Sequence, residues 1–426
     1  MLKRTRSFLV LVMLLMTVTM SAQVTTATMS GKVTAQDEPI IGATIVAIHE
    51  PSGTRYGTVT NVSGQFNLQG MRTGGPYKVE ISYVGYQTAI YKGINLLLGE
   101  NYVLNVSLKE SSELLDEVVV TASKESNMKS DRAGAIMNAN RDMISNTPTI
   151  SRSISDIMRL SPQGADVGNG FAVGGGNYRQ SFVTVDGAAF NNTFGLGGNL
   201  PANGSPISLD ALEQVTVAVT PFDVRQSGFT GGAINAVTRS GDNQFRGTAY
   251  MYFNNENLKG SKVDDYELLR SKAQYYTYGA SFGGPIIKDK LFFFVNGEYE
   301  DNVTAGSNYR PRTALGESYS GGNIHRPLQS DMDDMRGFLL NKYNFDPGKY
   351  NDYSTDTPAY RVMARVDWNA NQNNKVSFRF TKTHTKDSNF PTSSVSPLST
   401  SALYPGGTST EVIDGKPVGT IAPGQG

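Results

Sequence analysis

The sequence predicts a mainly β protein in three parts: an N-terminal β-sandwich, a small α+β domain, and a run of longer alternating strands. Three observations carry this. The 426 residues include 45 Gly, 21 Tyr and 19 Phe against one Trp, which suits strands separated by many turns. Apolar and polar residues alternate with a period of two in the first part and again in the last. Between them, Ile150, Ile154, Ile157 and Met158 fall at helical spacing, and Pro162 stops that run.

The N-terminus gives the compartment. Lys3, Arg4 and Arg6 precede an apolar run from Phe8 to Val18, and Ser21-Ala22 supply small residues for cleavage before Gln23. This is the layout of a secretory signal peptide over residues 1–22. The run is shorter than the roughly 20 residues a transmembrane helix needs. No Cys follows the site, which excludes a lipoprotein anchor. The exported chain has no Cys at all, so no disulfide holds it. Lys+Arg and Asp+Glu are 38 each, and nothing in this balance points to nucleic acid.

Residues 23–112 read as the sandwich. Tyr77, Val79, Ile81 and Tyr83 face one way, and Lys78, Glu80 and Ser82 the other. Tyr102, Leu104, Val106 and Leu108 alternate with Val103, Asn105, Ser107 and Lys109. Such patterns mark strands with one face on a core, and Gly53, Gly64, Gly70, Gly74-Gly75 and Gly99 punctuate them. His49 stands alone at a strand end, where a packed or solvated side chain is expected and not a metal ligand.

Residues 113–123 contain Leu114-Leu115-Asp116-Glu117-Val118-Val119-Val120-Thr121-Ala122. Three consecutive valines favour extended backbone, and no turn residues fold the segment back onto a neighbour. A strand without an internal partner suits pairing with another chain's sheet edge. A buried strand of the first domain, or a linker, fits the same residues.

Residues 124–241 form the α+β part. Its helix is followed by Phe171-Ala172-Val173 and Gly174-Gly175-Gly176, then by Ser181 to Val185 ending in the turn Asp186-Gly187. Ile207 to Val217 and Gly231 to Gly241 complete it. Gly195-Leu196-Gly197-Gly198 lacks the spacing and the Lys-Ser/Thr of a phosphate cradle, so it is read as a loop.

Residues 242–426 return to alternation. Val362, Ala364, Val366 and Trp368 oppose Arg361, Met363, Arg365 and Asp367. Across the turn Asn369 to Asn374, Val376, Phe378 and Phe380 oppose Ser377, Arg379 and Thr381. Tyr276–Pro285 and Leu291–Tyr299 make a similar hairpin. An apolar face opposite Arg and Asp fits a lipid-facing barrel with a wet lumen, and equally a soluble antiparallel sheet. The polar stretch from Asn302 to Tyr360 reads as a loop.

Two resemblances sharpen this. Ser30-Gly31-Lys32-Val33-Thr34, Pro39 to Ile45 and Thr58 to Phe66 resemble a carboxypeptidase regulatory-like domain, an accessory sandwich without a protease site. Val185-Asp186-Gly187, Leu212 to Val217 and Gly231 to Gly241 resemble, in order and spacing, the plug of TonB-dependent outer-membrane receptors. Ala218 to Arg225 departs from the Arg-Gly-Pro often found after the second strand. That looks like the Bacteroidota branch of SusC-like and Oar-like receptors and puts an iron-chelate cargo in doubt.

The resemblance implies a fold: a β-sandwich, an α+β plug, then the first strands of an incomplete transmembrane β-barrel in the outer membrane. It implies that Asp116, Glu117, Val118, Val119, Val120, Thr121 and Ala122 form a TonB box, gripped by periplasmic TonB through strand addition. The other partners it implies are outer-membrane lipid and, as in SusC-like systems, a surface lipoprotein. The expected function is energised import of a large nutrient such as a glycan or peptide oligomer. A non-transporting adhesion or assembly protein, or a truncated relic, is the alternative. About five barrel strands are legible where plugged transporters close with about 22. The last residues, Ala422 to Gly426, look like loop and not an aromatic-ended strand. The chain is therefore expected to be the N-terminal part of a larger receptor.

No enzyme chemistry and no cofactor is expected. His49, His325 and His384 lie far apart, no nucleophile motif appears, and Asp331, Asp333 and Asp334 lack the Gly and Glu of a calcium loop.

Overall fold

The computed structural model describes residues 25–110, 118–121, 136–149, 152–167, 170–191, 200, 205–219, 231–258, 260, 262–263, 266–267, 272–305, 310–317, 324–350, 353–371, 374–386, 409–413 and 416–419. The expected signal peptide, Asp116, Glu117, Ala122 and the Gly195–Gly198 loop lie outside them. Two compact units form, one of Met1–Ala249, Gly279–Glu298 and Tyr360–His384, the other of Tyr250–Tyr278, Tyr299–Ala359 and Thr385–Gly426.

The first unit begins with the sandwich. Its strands are β1 (Ala27–Ala35), β2 (Glu38–Pro39), β3 (Thr44–His49), β4 (Thr54–Val59), β5 (Gln65–Met71), β6 (Gly74–Ser82), β7 (Ala89–Leu96), β8 (Asn101–Val103), β9 (Val106–Ser107) and β10 (Val118–Thr121). In one sheet β1 pairs antiparallel with β2 and β5 and parallel with β8 and β9. The other runs β10-β7-β6-β3-β4. Met29, Val33, Ile45, Tyr77, Val79 and Ile81 are all fully buried between them. Each such aliphatic side chain contributes roughly 1.5–3 kcal/mol. The expected alternation holds to Ile81. Tyr83 is exposed instead of buried because β6 ends at Ser82 and the chain turns there. A Cβ on Gly31 would lie 1.8 Å from the Leu104 carbonyl oxygen, so only glycine lets the chain after β8 approach β1.

The α+β domain follows with β11 (Ile136–Ala139), α1 (Arg141–Asn146), α2 (Ile154–Met158), β12 (Gly164–Asp166), β13 (Phe171–Val173), β14 (Phe182–Val185), β15 (Ala188–Ala189), β16 (Leu212–Ala218) and β17 (Ala233–Thr238). Its sheet order is β11-β16-β17-β14-β15, with β14 and β17 parallel. Ile154, Ile157 and Met158 pack with Leu212, Val215 and Val217, as their helical spacing implies. The helix starts at Ile154 because Arg152 takes φ 50° and Asp156 Oδ2 accepts the Ser153 N–H at 3.4 Å. The short helix α1 was not legible as a periodic run; Asn140 caps it by accepting the Met143 N–H at 2.9 Å. Asp186 and Gly187 take φ 51° and 84°, the left-handed pair that a two-residue hairpin turn requires.

The longer strands are β18 (Arg246–Asn255), β19 (Lys262–Val263), β20 (Tyr266–Glu267), β21 (Gln274–Ile287), β22 (Leu291–Ala305), β23 (Arg310–Arg312) and β24 (Ile324–Leu328). After the helix α3 (Gln329–Tyr343) come β25 (Ser354–Asp356), β26 (Ala359–Asn369), β27 (Lys375–Thr385), β28 (Ser409–Ile413) and β29 (Lys416–Gly419). One sheet takes the order β18-β21-β22-β26-β27, with β25 beside β22; no closed barrel forms among the described residues. Along β26, Arg361, Met363, Arg365 and Asp367 are buried, while Val362 and Trp368 are 43% and 50% exposed. The face assignment matches the sequence pattern, and the inner face is covered by the protein itself. Met363 and Phe294 join the apolar core of the α+β domain, which covers that face.

In the second unit the polar stretch expected to be loop contains α3. Asn344 closes it in the left-handed conformation, φ 51°, and donates its N–H to Leu340 O at 3.0 Å. None of its residues is buried, and Gly337 interrupts its apolar positions, so no amphipathic stripe announces it.

Candidate functional site

Of the seven residues singled out from sequence, Val118–Thr121 form β10. It has an internal partner, which matches the alternative of a strand of the first domain and not the strand left alone. β10 pairs in parallel with β7, Val118 opposite Ala89, Val119 opposite Ile90, Val120 opposite Tyr91 and Thr121 opposite Lys92. The segment carries no hairpin turn residues. A parallel pair needs a crossover instead, and β8 and β9 supply it by running through the opposite sheet.

The sandwich is fastened to the α+β domain at several points. Just beyond β7, Leu98 donates its N–H to Gln214 Oε1 at 3.0 Å and packs on Val237; both apolar side chains are buried. Asn138 donates to Glu100 Oε1 at 2.5 Å and accepts from Thr216 Oγ1 at 2.5 Å. Arg72 Nη2 reaches Gly241 O at 3.2 Å, and the Asn243 N–H reaches Pro51 O at 2.9 Å.

A second set of contacts joins the α+β domain to the long strands within the first unit. Asp210 accepts from Arg141 at 2.8 Å and from Thr248 Oγ1 on β18 at 2.6 Å, with Arg239 at 3.5 Å. Burial opposes ionisation of Asp210. Hydrogen bonds from Ser281, Thr248 and Arg141, with the Arg239 charge, outweigh burial and hold the carboxyl below its ordinary value. Asp186 accepts the Thr238 N–H at 3.0 Å and faces Arg379 at 3.4 Å and Arg365 at 4.0 Å. Asp367 accepts from Arg365 at 2.8 Å, from Ser377 at 2.5 Å and from Ser240. Arg361 Nη1 pairs with Glu298 Oε1 at 3.0 Å, with 2% and 3% side-chain exposure. The Arg361 Nε–H meets Ser205 O, and Ser208 Oγ donates to Glu298 Oε2 at 2.9 Å.

Sequence reading placed Arg361, Arg365 and Asp367 on one face but did not single them out, nor Asp186, Asp210 or Glu298. The available signal was charge on the inward face of strands whose outward face is apolar. A cavity of about 470 Å3 in this unit is lined by charges of both signs, among them Arg72, Glu213, Arg239 and Asp367. Burial pushes the Glu213 carboxyl up, against the surrounding arginines. Among the described residues no group of His, Cys, Asp and Glu is placed to hold a metal ion. His49 is buried and bonded through Nδ1 to Ser52 Oγ at 2.7 Å, and His384 stacks on Tyr360 with ring centroids 5.2 Å apart.

Residues 28–109 match the carboxypeptidase regulatory-like domain family, and residues 237–413 the outer membrane β-barrel domain family. Over 256 residues the chain is 27% identical to the TonB-dependent transporter Oar of Myxococcus xanthus, covering 58% of this chain and 22% of that protein. Over 269 residues it is 29% identical to the TonB-dependent receptor SusC of Bacteroides thetaiotaomicron, covering 60% and 24%. It thus spans less than a quarter of either relative's length. Among solved structures it is similar to the siderophore receptor PirA of Acinetobacter baumannii, with TM-score 0.40 and 16% identity over 59% of this chain and 31% of that one. The outer membrane transporter YddB of Escherichia coli gives TM-score 0.41 and 12% identity over 59% and 33%.

Proposed function

From the premise that this is an outer-membrane protein, homologous to TonB-dependent transporters and carrying a carboxypeptidase regulatory-like domain and an outer membrane β-barrel domain, we propose that it works in energised import of a large nutrient. The α+β domain, residues 124–241, is the plug that gates the pore. Residues 116–122 recruit TonB, and the sandwich modulates that access.

The observation that carries this reading is the joint between the α+β domain and the long strands. Asp186, Asp210, Arg361 and Glu298 hold a folded domain against the inner face of strands whose outer face exposes Phe282, Val295, Val362 and Phe378. An apolar exterior suits lipid. A domain tied inside it by hydrogen bonds and ion pairs can be drawn aside by exchanging those bonds for water, at a lower cost than pulling apart a purely apolar core. The edges of β18 and β27 need further strands beside them, because an open edge in lipid leaves N–H and C=O groups unsatisfied.

The cargo proposed is a glycan or peptide oligomer. Exposed Phe338, Tyr343 and Phe345, with the Tyr350 hydroxyl bonded to Asp333 at 2.6 Å, combine flat apolar faces and polar groups in the second unit.

The test is Val119→Pro against Val119→Ala in the whole receptor. Proline removes one ladder N–H, whereas alanine keeps it. Growth on oligosaccharides or peptides as sole nutrient should fall to the TonB-deletion level with proline and stay within about twofold of wild type with alanine. Equal growth of the proline variant and wild type would end the proposal.

A further inference from the structure

The pairing of β10 with β7 raises a question that strand recruitment alone does not answer: whether the sandwich lets go when the partner takes hold. We propose that it does not. The partner's strand adds to the open side of β10 while β7 stays on the other side, so the sandwich sheet grows by one strand and carries the pull into the plug. This rests on the reading above that residues 116–122 are the TonB grip.

Three observations support it. The sheet order β10-β7-β6-β3-β4 puts β10 at an edge, with one side engaged and the other unpaired among the described residues. An edge strand offers a row of free N–H and C=O groups, which is what an incoming strand requires. Nothing has to be broken to form the complex, whereas displacing β7 would sacrifice a ladder four residues long.

The second observation is the direction of load. The β10–β7 register is parallel and continuous from Val118 to Thr121. A pull along β10 loads those bonds together in shear and does not peel them one by one. The third is where β7 leads. Two residues beyond its end at Leu96, Leu98 is bonded to Gln214 on β16 and packed on Val237 of β17. Two residues later Glu100 holds Asn138 of β11. β11, β16 and β17 are consecutive neighbours in the plug sheet. The sandwich therefore links the gripped strand to three plug strands through hydrogen bonds and packing, beside the covalent chain itself.

A disulfide staple tests this. Lys92 and Thr121 are Cα partners at the end of the ladder, Lys92 is exposed, and the chain has no other Cys. Neighbouring strands lie about 4.8 Å apart, within the Cα spacing a disulfide accepts. The whole receptor carrying Lys92→Cys and Thr121→Cys is titrated with the soluble periplasmic domain of TonB, oxidised and reduced, beside wild type. The expected result is the same affinity within about twofold in both states. A tenfold or greater loss on oxidation, regained on reduction, would show that sandwich and partner compete for the same side of β10 and would overturn the inference while leaving the grip intact. Absence of binding even by wild type would overturn the grip, and the inference with it. A second variant keeps the load path testable should the staple fail to fold. Gln214→Met removes the acceptor for Leu98 and should leave TonB affinity unchanged while lowering growth on the imported nutrient at least fivefold. Unchanged growth would refute the load path.

Discussion

Arg361→Ala is expected to loosen the α+β domain from the long strands more than any other single substitution. Arg361 and Glu298 are 2% and 3% exposed, and each also bonds the α+β domain, through Ser205 O and the Ser208 hydroxyl. Removing the guanidinium leaves the Glu298 carboxylate buried without the Arg361 charge. Breaking one side of such a pair typically costs about 3–5 kcal/mol. The urea midpoint of the refolded chain in detergent should fall accordingly, and protease cleavage in residues 205–208 should rise. Replacing both partners with Met should recover most of the loss, because the penalty comes from the stranded charge and not from the missing pair. If Arg361→Ala and the double variant match wild type, the pair does not hold the α+β domain.

The second large effect is acid sensitivity of the sandwich through His49. The ring is buried and holds Ser52 Oγ at 2.7 Å, and Ser52 in turn meets Thr54 Oγ1 at 2.7 Å. Burial, with a smaller contribution from the Arg72 charge, lowers its pKa from 6.5 to about 3. The folded state therefore keeps the ring neutral while the unfolded chain takes up a proton below pH 6.5. Between those two values the unfolded state binds more protons, so stability is complete above pH 6.5 and declines as pH falls towards 3. At about 1.4 kcal/mol per pH unit the loss is roughly 2–3 kcal/mol at pH 4.5. Hydrogen exchange of the β3 and β6 amides should report it. His49→Asn should start less stable at pH 7 and then lose much less on acidification. Parallel pH profiles for the two proteins would rule His49 out as the cause.

Much of the fold was legible because local pattern and burial agree. The period-two runs through Tyr77–Ile81 and Val362–Trp368, the Asp186-Gly187 turn and the Ile154-Ile157-Met158 face each carry their own signal. What escaped depends on distant residues. The place of β10 on β7 follows from a crossover through the other sheet, and nothing in nine residues records that. The burial of the inner face of β26 follows from the α+β domain packing over it, since Arg and Asp read as exposed until Asp186, Glu298 and Thr238 are seen beside them. Helix α3 escaped because its apolar residues form no stripe.

The central claim, that residues 116–122 are where TonB grips, is tested most directly by cysteine cross-linking in cells. These 426 residues contain no Cys, so a single cysteine placed at each position from Leu114 to Lys124 is the only one they contribute. Paired with a cysteine in the periplasmic domain of TonB, positions 116–122 should form disulfides. Because residues alternate across a strand, efficiency should alternate along them. The Ser123 and Lys124 positions should stay unlinked. Cross-links missing from 116–122, or spread evenly across the whole scan, would contradict it.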